Sequence, residues 1–352
     1  MRLVCWYKRR WVLFLIYFFL GTTVLYSLSH VLETNLETIQ CYRIKTEETL
    51  PDISEVEPRK GQSIFFHETS CRSYQKGKIV IESRQACAVE STARLNPNFD
   101  IYLLYSSPGI IKYDGDESDR LLHTLMSYKN VYIMHLDFKN YTKGTPVESL
   151  YSSGQIENSL HVVSHASDVL RYLTLWKYGG IYMDLDVVLL KSIEDLKSNF
   201  AAIESNNVVA SGVLSFEPTG NGHKMVEDCL NDLKVRFDGK LWANNGPGVI
   251  TRLLKSMCTS INTTEEIMNV DCGGFTLLPP SSFYPVPWQK WWMYFDEKFL
   301  ETVANFTQDS FAIHTWNKLS HERHIPLDSN VPYLNIARKN CPNVIEACDK
   351  VF

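Results

Sequence analysis

The 352-residue sequence has no Cys-x-x-Cys pair, no excess of basic residues and no low-complexity tract. Without closely spaced thiols there is no pattern for a structural zinc site. Thirty-five Lys and Arg against forty Asp and Glu leave a net charge of −5. That balance gives no field for counterion-driven binding, so nucleic acid is not expected as a partner. Gly (17) and Pro (14) are too few for a fibrous repeat or a disordered chain. At 45% hydrophobic and 12% aromatic, the chain has core material for one large domain or two modest ones, and needs no miniprotein-style staples.

Acidic residues are missing altogether from positions 1–28, which hold Arg2, Lys8, Arg9 and Arg10; beyond them, 31 bases face 40 acids, a balance of −9. Trp11 to Leu28 carries no charge at all. Eighteen such residues with their flanks are long enough to cross hydrocarbon. A cleaved signal peptide is the alternative, but its apolar core is usually shorter and ends at small residues, whereas this run continues through Leu25 and Tyr26. The expected organisation is a cytosolic tail (1–10), a transmembrane signal anchor (11–28), a stem (29–62) and a lumenal head (63–352). With the bases preceding the span, the topology is type II.

Two features suit a lumenal head. Asn140-Tyr-Thr, Asn262-Thr-Thr and Asn305-Phe-Thr are glycosylation acceptor sequences. Eight cysteines follow the span (Cys41, Cys71, Cys87, Cys229, Cys258, Cys272, Cys341, Cys348), an even number compatible with an oxidising compartment. Spacing alone does not fix connectivity; Cys258 with Cys272 and Cys341 with Cys348 are the nearest-neighbour pairings.

Within the head, strand-like runs (63–67, 100–105, 130–136) alternate with helical ones (86–95, 117–128, 166–178), which predicts an α/β fold with a mostly parallel sheet. Ala166, Val169, Leu170, Leu173 and Trp176 line one helical face, and Gly179-Gly180 ends that helix. Next comes Ile181 to Leu190, read as one continuous buried strand interrupted only by Asp184 and Asp186. Residues two apart on a strand share a side, so both carboxylates would meet at a crevice where open α/β sheets bind ligands. Two such charges want a cation, and hard oxygen donors suit Mn²⁺ or Mg²⁺ held with the diphosphate of a substrate. A turn with two solvated aspartates is the plainer alternative.

Ser167 to Asp186 resembles the sugar-binding region of Asp-x-Asp glycosyltransferases. From Ile64-Phe-Phe-His-Glu-Thr69 onward, the chain resembles more narrowly the α-1,4-glycosyltransferase family. Its other stations are Cys87 to Arg94, Asn245-Gly-Pro247 with Thr251-Arg252, Leu278-Pro-Pro280, Phe283 to Trp288 and Ala312 to Lys318. The resemblance implies a GT-A type nucleotide-sugar fold and a retaining, metal-dependent transferase resident in the Golgi membrane. Such an enzyme moves galactose or N-acetylgalactosamine from a UDP-sugar to the terminal sugar of a glycolipid such as lactosylceramide, through an α-1,4 linkage. It further implies that Asp184 and Asp186 are the catalytic, metal-binding pair and that His314 completes the metal shell, although a core histidine would read the same way.

By likeness to the same signature in clostridial glucosylating toxins, Asp168 and Arg171 would hold donor sugar hydroxyls or phosphate oxygens; an i,i+3 ion pair on a helix surface is the alternative. Trp316, Asn317 and Lys318 would close over the diphosphate, with Lys318 as a donor-binding charge. Asn245 either contacts the donor or only caps the following helix. It lies in Ala243-Asn244-Asn245 where the family pattern has Gly-His-Gln, which leaves galactose and N-acetylgalactosamine both open. Trp288, Trp291, Trp292, Tyr294 and Phe295 offer flat faces for an acceptor, with Trp288 and Trp292 as the acceptor-binding pair, or else they pack a core. Two rivals remain: a glycosidase using Asp184 and Asp186 as acid and base, and a non-catalytic membrane-anchored lectin.

Overall fold

A computed structural model of the chain describes residues 38–45, 50–205, 208–258 and 272–352. Residues 39–352 form one compact unit. The expected tail (1–10) and anchor (11–28) lie outside the described residues. Among the described residues, no helix is long and apolar enough to cross a membrane.

Nine strands are present among the described residues: β1 Ser63–Glu68, β2 Asp100–Tyr105, β3 Val131–His135, β4 Gly180–Met183, β5 Val187–Leu189, β6 Phe200–Ser205, β7 Val208–Phe216, β8 Thr276–Leu278 and β9 Ala312–His314. Seven of them make a central sheet in the order β3-β2-β1-β4-β7-β6-β8. β3, β2, β1 and β4 run parallel; β7 pairs antiparallel with both β4 and β6, and β8 lies parallel to β6. This is the mostly parallel sheet expected from the alternation. β1 is buried at all six positions, as its apolar run requires of a central strand.

Helices cover both faces. On one lie α1 (Ser83–Leu95), α2 (Glu117–Met126) and the carboxyl-terminal α6 (Pro332–Asn340) and α7 (Pro342–Ala347); on the other lie α3 (Val162–Tyr178), α4 (Gly220–Arg236) and α5 (Pro247–Met257). Local signals start and stop these helices. The Glu82 N–H donates to Gln85 Oε1 (3.1 Å) ahead of α1, and Asp116 Oδ1 accepts from the Asp119 N–H (3.0 Å) at the start of α2. Gly179 (φ 62°) and Gly180 (φ 86°) end α3. Side chains are excluded there twice over, because a Cβ on Gly179 would lie 2.7 Å from Pro218 Cα and one on Gly180 would enter the Ser63 carbonyl.

Three expectations are corrected. The stem does not extend to residue 62: Ile39, Cys41, Tyr42 and Ile53 are buried in the core, Cys41 is bonded to Cys71, and the Tyr42 hydroxyl donates to the Thr69 carbonyl. The compact unit therefore begins at Ile39, where apolar side chains spaced too irregularly for a helix or strand still find the core. The run Ile181–Leu190 is two strands, not one. Met183 ends β4, the Val187 N–H closes a turn onto the Asp184 carbonyl (3.0 Å), and β5 leaves the main sheet to pair with β9. Lastly, Cys341 pairs with Cys87, not Cys348; Cys258–Cys272 forms as read, while Cys229 and Cys348 are buried thiols. The end of α6 packs on α1, which brings Cys341 to Cys87 across 254 residues of chain.

Candidate active site

The turn that divides β4 from β5 creates the site. The Asp184 N–H carries the β4–β7 ladder one step further to the Gly212 carbonyl (2.8 Å) before the chain turns out of the sheet. Beyond it, β5 and β9 pair antiparallel with Val187 opposite His314. This register places an imidazole 128 residues away beside the two carboxylates. His314 Nε2 stands 2.9 Å from Asp186 Oδ1 and 3.9 Å from Asp184 Oδ2. One ligand atom from each of the three residues lies within 4.8 Å of the others.

Each carboxylate is fixed on its far side. Asp186 Oδ2 accepts the Asn317 N–H (2.7 Å), and its main-chain carbonyl accepts the Thr315 N–H (2.9 Å). Asp184 Oδ1 accepts the Tyr182 hydroxyl (2.7 Å) and lies 3.4 Å from Arg171 Nη2. Burial would raise the Asp186 pKa, but the His314 charge and the hydrogen bonds from His314 and Asn317 more than offset it and hold the group below the usual range. Burial likewise opposes a charge on His314, yet the two aspartates raise its pKa.

Arg171, on α3, is buried beneath the cluster. It lies over the Tyr182 ring (4.7 Å), and its Nη1 donates to the Ser211 carbonyl and hydroxyl, both at 2.8 Å. Its Nη2 reaches Asp168 Oδ1 at 3.2 Å. The i,i+3 pair is thus real, but it is interior and shared with Asp184, unlike a solvated surface pair. Burial pushes the Asp168 pKa up to about 7; Arg171 opposes this and Asp184 adds to it. Two glycines leave the space these acids occupy. A Cβ on Gly212 would come 2.8 Å from Asp184 Oδ2, and one on Gly246 would overlap Asp168 Oδ1 and lie 2.9 Å from Ser211 Oγ.

The donor set fits a small divalent cation. One carboxylate oxygen from each aspartate and one imidazole nitrogen, all within 4.8 Å of one another, would hold such an ion between them. Two carboxylates with one imidazole favour a first-row ion of mixed oxygen and nitrogen preference.

Other expected site residues stand further out. Lys318 is exposed, with Nζ 5.1 Å from the Trp242 ring centroid. The Asn245 amide is committed to its own loop, accepting from the Asp238 N–H (3.0 Å) and donating to the Asp238 carbonyl (2.8 Å). Trp288 and Trp292 are exposed on a 3-10 segment, where Trp292 packs edge-on against Phe299 (5.0 Å). Besides Tyr182, the aromatics Tyr284 and Trp316 reach the cluster, at 5.7 and 4.1 Å from the His314 ring. Asn140 and Asn305 are exposed, and Asn262 lies outside the described residues.

Tyr182, Ser211, Gly212, Gly246 and Glu204 were not picked out from sequence. Tyr182 sat in view two residues before Asp184 and Gly246 inside the Asn245-Gly-Pro247 station, whereas the β7 residues and Glu204 carry no local mark. Glu204, near the end of β6, adds a further carboxyl close enough to feel His314 and Asp184; burial raises its pKa.

Residues 82–203 match the glycosyltransferase sugar-binding region containing the DXD motif, and residues 218–348 match the alpha 1,4-glycosyltransferase conserved region. Lactosylceramide 4-alpha-galactosyltransferase of Mus musculus is 31% identical over 307 residues, covering 87% of this chain and 81% of that one. Alpha-1,4-N-acetylglucosaminyltransferase of Homo sapiens is 28% identical over 283 residues, covering 77% and 80%. Among solved structures, PaToxG glycosyltransferase aligns with a TM-score of 0.40 at 20% identity, over 56% of this chain and 70% of that one. The Asp-x-Asp region and the conserved region that follows it are thus both present, and with them the chain belongs to the α-1,4-glycosyltransferase family as a hexosyltransferase.

Proposed function

We propose that the protein moves galactose from UDP-galactose to the terminal sugar of a glycolipid such as lactosylceramide, forming an α-1,4 linkage with the donor configuration retained. The observation that carries this reading is the Asp184–Asp186–His314 cluster at the carboxyl end of β4, backed by the buried Arg171. Relatives named for galactose and for N-acetylglucosamine transfer both align over most of the chain, so the substituent at C2 of the donor is the point to test, with N-acetylgalactosamine as the alternative donor.

Asp184, Asp186 and His314 would hold Mn²⁺, which when bound neutralises charge developing on the departing diphosphate. Arg171 is held by Ser211 and Asp184 in one orientation, so its guanidinium enters the reaction without reorganising. Asp168, in the space left by Gly246, would accept a hydrogen bond from a donor-sugar hydroxyl. Lys318 and Trp242 form an outer rim suited to the diphosphate. The Asn245 side chain acts in this reading by fixing the 238–245 loop, and Trp288 and Trp292 contribute an exposed aromatic face toward the acceptor. Residues 11–28 would anchor the enzyme in the Golgi membrane as a type II protein with glycans on Asn140, Asn262 and Asn305.

Full-length protein in detergent, given lactosylceramide or a GalNAc-ended glycolipid, is assayed with UDP-Gal, UDP-GalNAc, UDP-GlcNAc and UDP-Glc, with Mn²⁺ or EDTA. Mn²⁺-dependent galactose transfer with the α-anomer in the product is the expected result. Transfer unaffected by EDTA, or hydrolysis of glycolipid without any nucleotide, would refute the proposal.

A further inference from the structure

Behind the cluster, Arg84 in the first turn of α1 is buried, 6% exposed. Its charge is close enough to Asp186 to help lower that group's pKa. Its guanidinium lies between two rings, 5.1 Å from the Phe295 centroid and 5.3 Å from that of Tyr333. Its hydrogen bonds go to one short loop: Nη1 donates to the Ser320 carbonyl (2.8 Å) and Nη2 to the Ser320 hydroxyl (2.6 Å). The Ser320 hydroxyl in turn donates to the Thr315 carbonyl (2.7 Å), so one side chain grips both ends of residues 315–320.

That loop fixes Asp186. It supplies the Asn317 N–H to Oδ2 and the Thr315 N–H to the main-chain carbonyl, and it begins one residue after His314. The loop is also conformationally costly. Trp316 adopts φ 55°, ψ 53°, a left-handed conformation that a bulky residue keeps only when surrounding contacts enforce it. Trp316 is held by Nε1 donating to the Val286 carbonyl (2.9 Å) and by its ring packing against Tyr284 and His314, while Arg84 holds the far end of the loop through Ser320.

We infer that Arg84 is a positioning residue for the metal site: by clamping the 315–320 loop it aims Asp186 Oδ1 and His314 Nε2 at the same point. A forked, permanently charged donor suits this task, since two fixed N–H directions define the loop's orientation where a lysine would supply one point charge. This inference rests on Asp184, Asp186 and His314 binding a cation, and it adds that cation affinity is set 236 residues upstream of Ser320.

The test is a Mn²⁺ titration of the full-length protein in detergent, following the free-ion signal by electron paramagnetic resonance with no nucleotide-sugar present. Arg84→Met, Arg84→Lys, Ser320→Ala and Asp186→Asn are compared with wild type. Removing support behind metal ligands typically weakens affinity by about 10- to 100-fold, and that loss is expected for Arg84→Met. Arg84→Lys and Ser320→Ala are expected to lose less, in the same direction, with turnover recovering as Mn²⁺ is raised. Ser320→Ala deletes a single buried oxygen and carries the test if Arg84→Met fails to fold. Wild-type Mn²⁺ affinity in any folded Arg84 or Ser320 variant, even one with a lowered melting temperature, would overturn the inference and leave Arg84 a packing residue. No Mn²⁺ binding by wild type, or undiminished binding by Asp186→Asn, would instead refute the metal site itself.

Discussion

Replacing Asp186 by asparagine changes one oxygen to an NH₂ group, and the structure determines which one. Asp186 Oδ2 accepts the Asn317 N–H at 2.7 Å, while Oδ1 faces His314 at 2.9 Å. In Asp186→Asn the amide oxygen has to stay with the Asn317 N–H, because the opposite flip sets two donors against each other and strands a largely buried N–H at a cost of about 1–3 kcal/mol. The NH₂ group then points at His314 and at the cation position, so a donor replaces an anionic acceptor. Loss of one of three protein ligands, together with its charge, is expected to cost about 3–4 kcal/mol in the metal-loaded reaction. That is roughly 10²- to 10³-fold in turnover at fixed Mn²⁺. The metal-free fold should also lose stability, because the buried Asp186–His314 pair is broken even though repulsion with Asp184 is relieved. Turnover of UDP-sugar measured across a Mn²⁺ series, with thermal unfolding followed in EDTA, separates the two effects. Activity within tenfold of wild type at the same Mn²⁺ would refute the reasoning.

Gly246→Ala puts a methyl group against Asp168 and Ser211, and overpacking of this kind should cost about 1–3 kcal/mol of stability and raise the KM for donor; thermal melts and donor kinetics like wild type would sink it. Asp168 supplies a pH signature. Its folded pKa is raised from 3.8 to about 7, so the folded protein holds the extra proton, and this stabilisation is fully present below about pH 4 and lost as pH rises through 7. Urea unfolding in EDTA should therefore show Asp168→Asn gaining on wild type between pH 4 and 7, by up to about 4 kcal/mol; a difference independent of pH would contradict the assignment. The Cys87–Cys341 bridge closes a loop of 254 residues and Cys258–Cys272 one of 14. In the chain-entropy model, removing the first as a Cys87→Ser, Cys341→Ser pair should cost about 5 kcal/mol and removing the second about 3, with the reverse order in denaturant titrations counting against it.

Much of the site's local architecture was legible. The apolar spacing of 166–176 and the Gly179-Gly180 stop gave α3 and the start of β4, because helical periodicity and left-handed glycines act within a few residues. Asp184 and Asp186 stood out because two carboxylates inside an apolar run are costly without a partner. The same run misled on one point. Its apolar continuity reads as a single strand, but β5 is apolar because it packs with β9 and not because it continues β4. Likewise, polar composition suggested a stem to residue 62, whereas Ile39, Tyr42 and Ile53 are held in the core by contacts that no local pattern announces.

By itself the sequence determined the α/β alternation, the glycine stop of α3, the carboxylate pair and the charge balance, all properties of neighbours along the chain. Tertiary structure alone decided which distant groups meet those carboxylates: His314 through the β5–β9 register, Arg171 turned inward onto Asp184, Cys341 joined to Cys87, and Arg84 against Ser320. Such partnerships depend on how whole elements pack. The energy of burying a charge or a ring becomes favourable only once surfaces remote in sequence close around it.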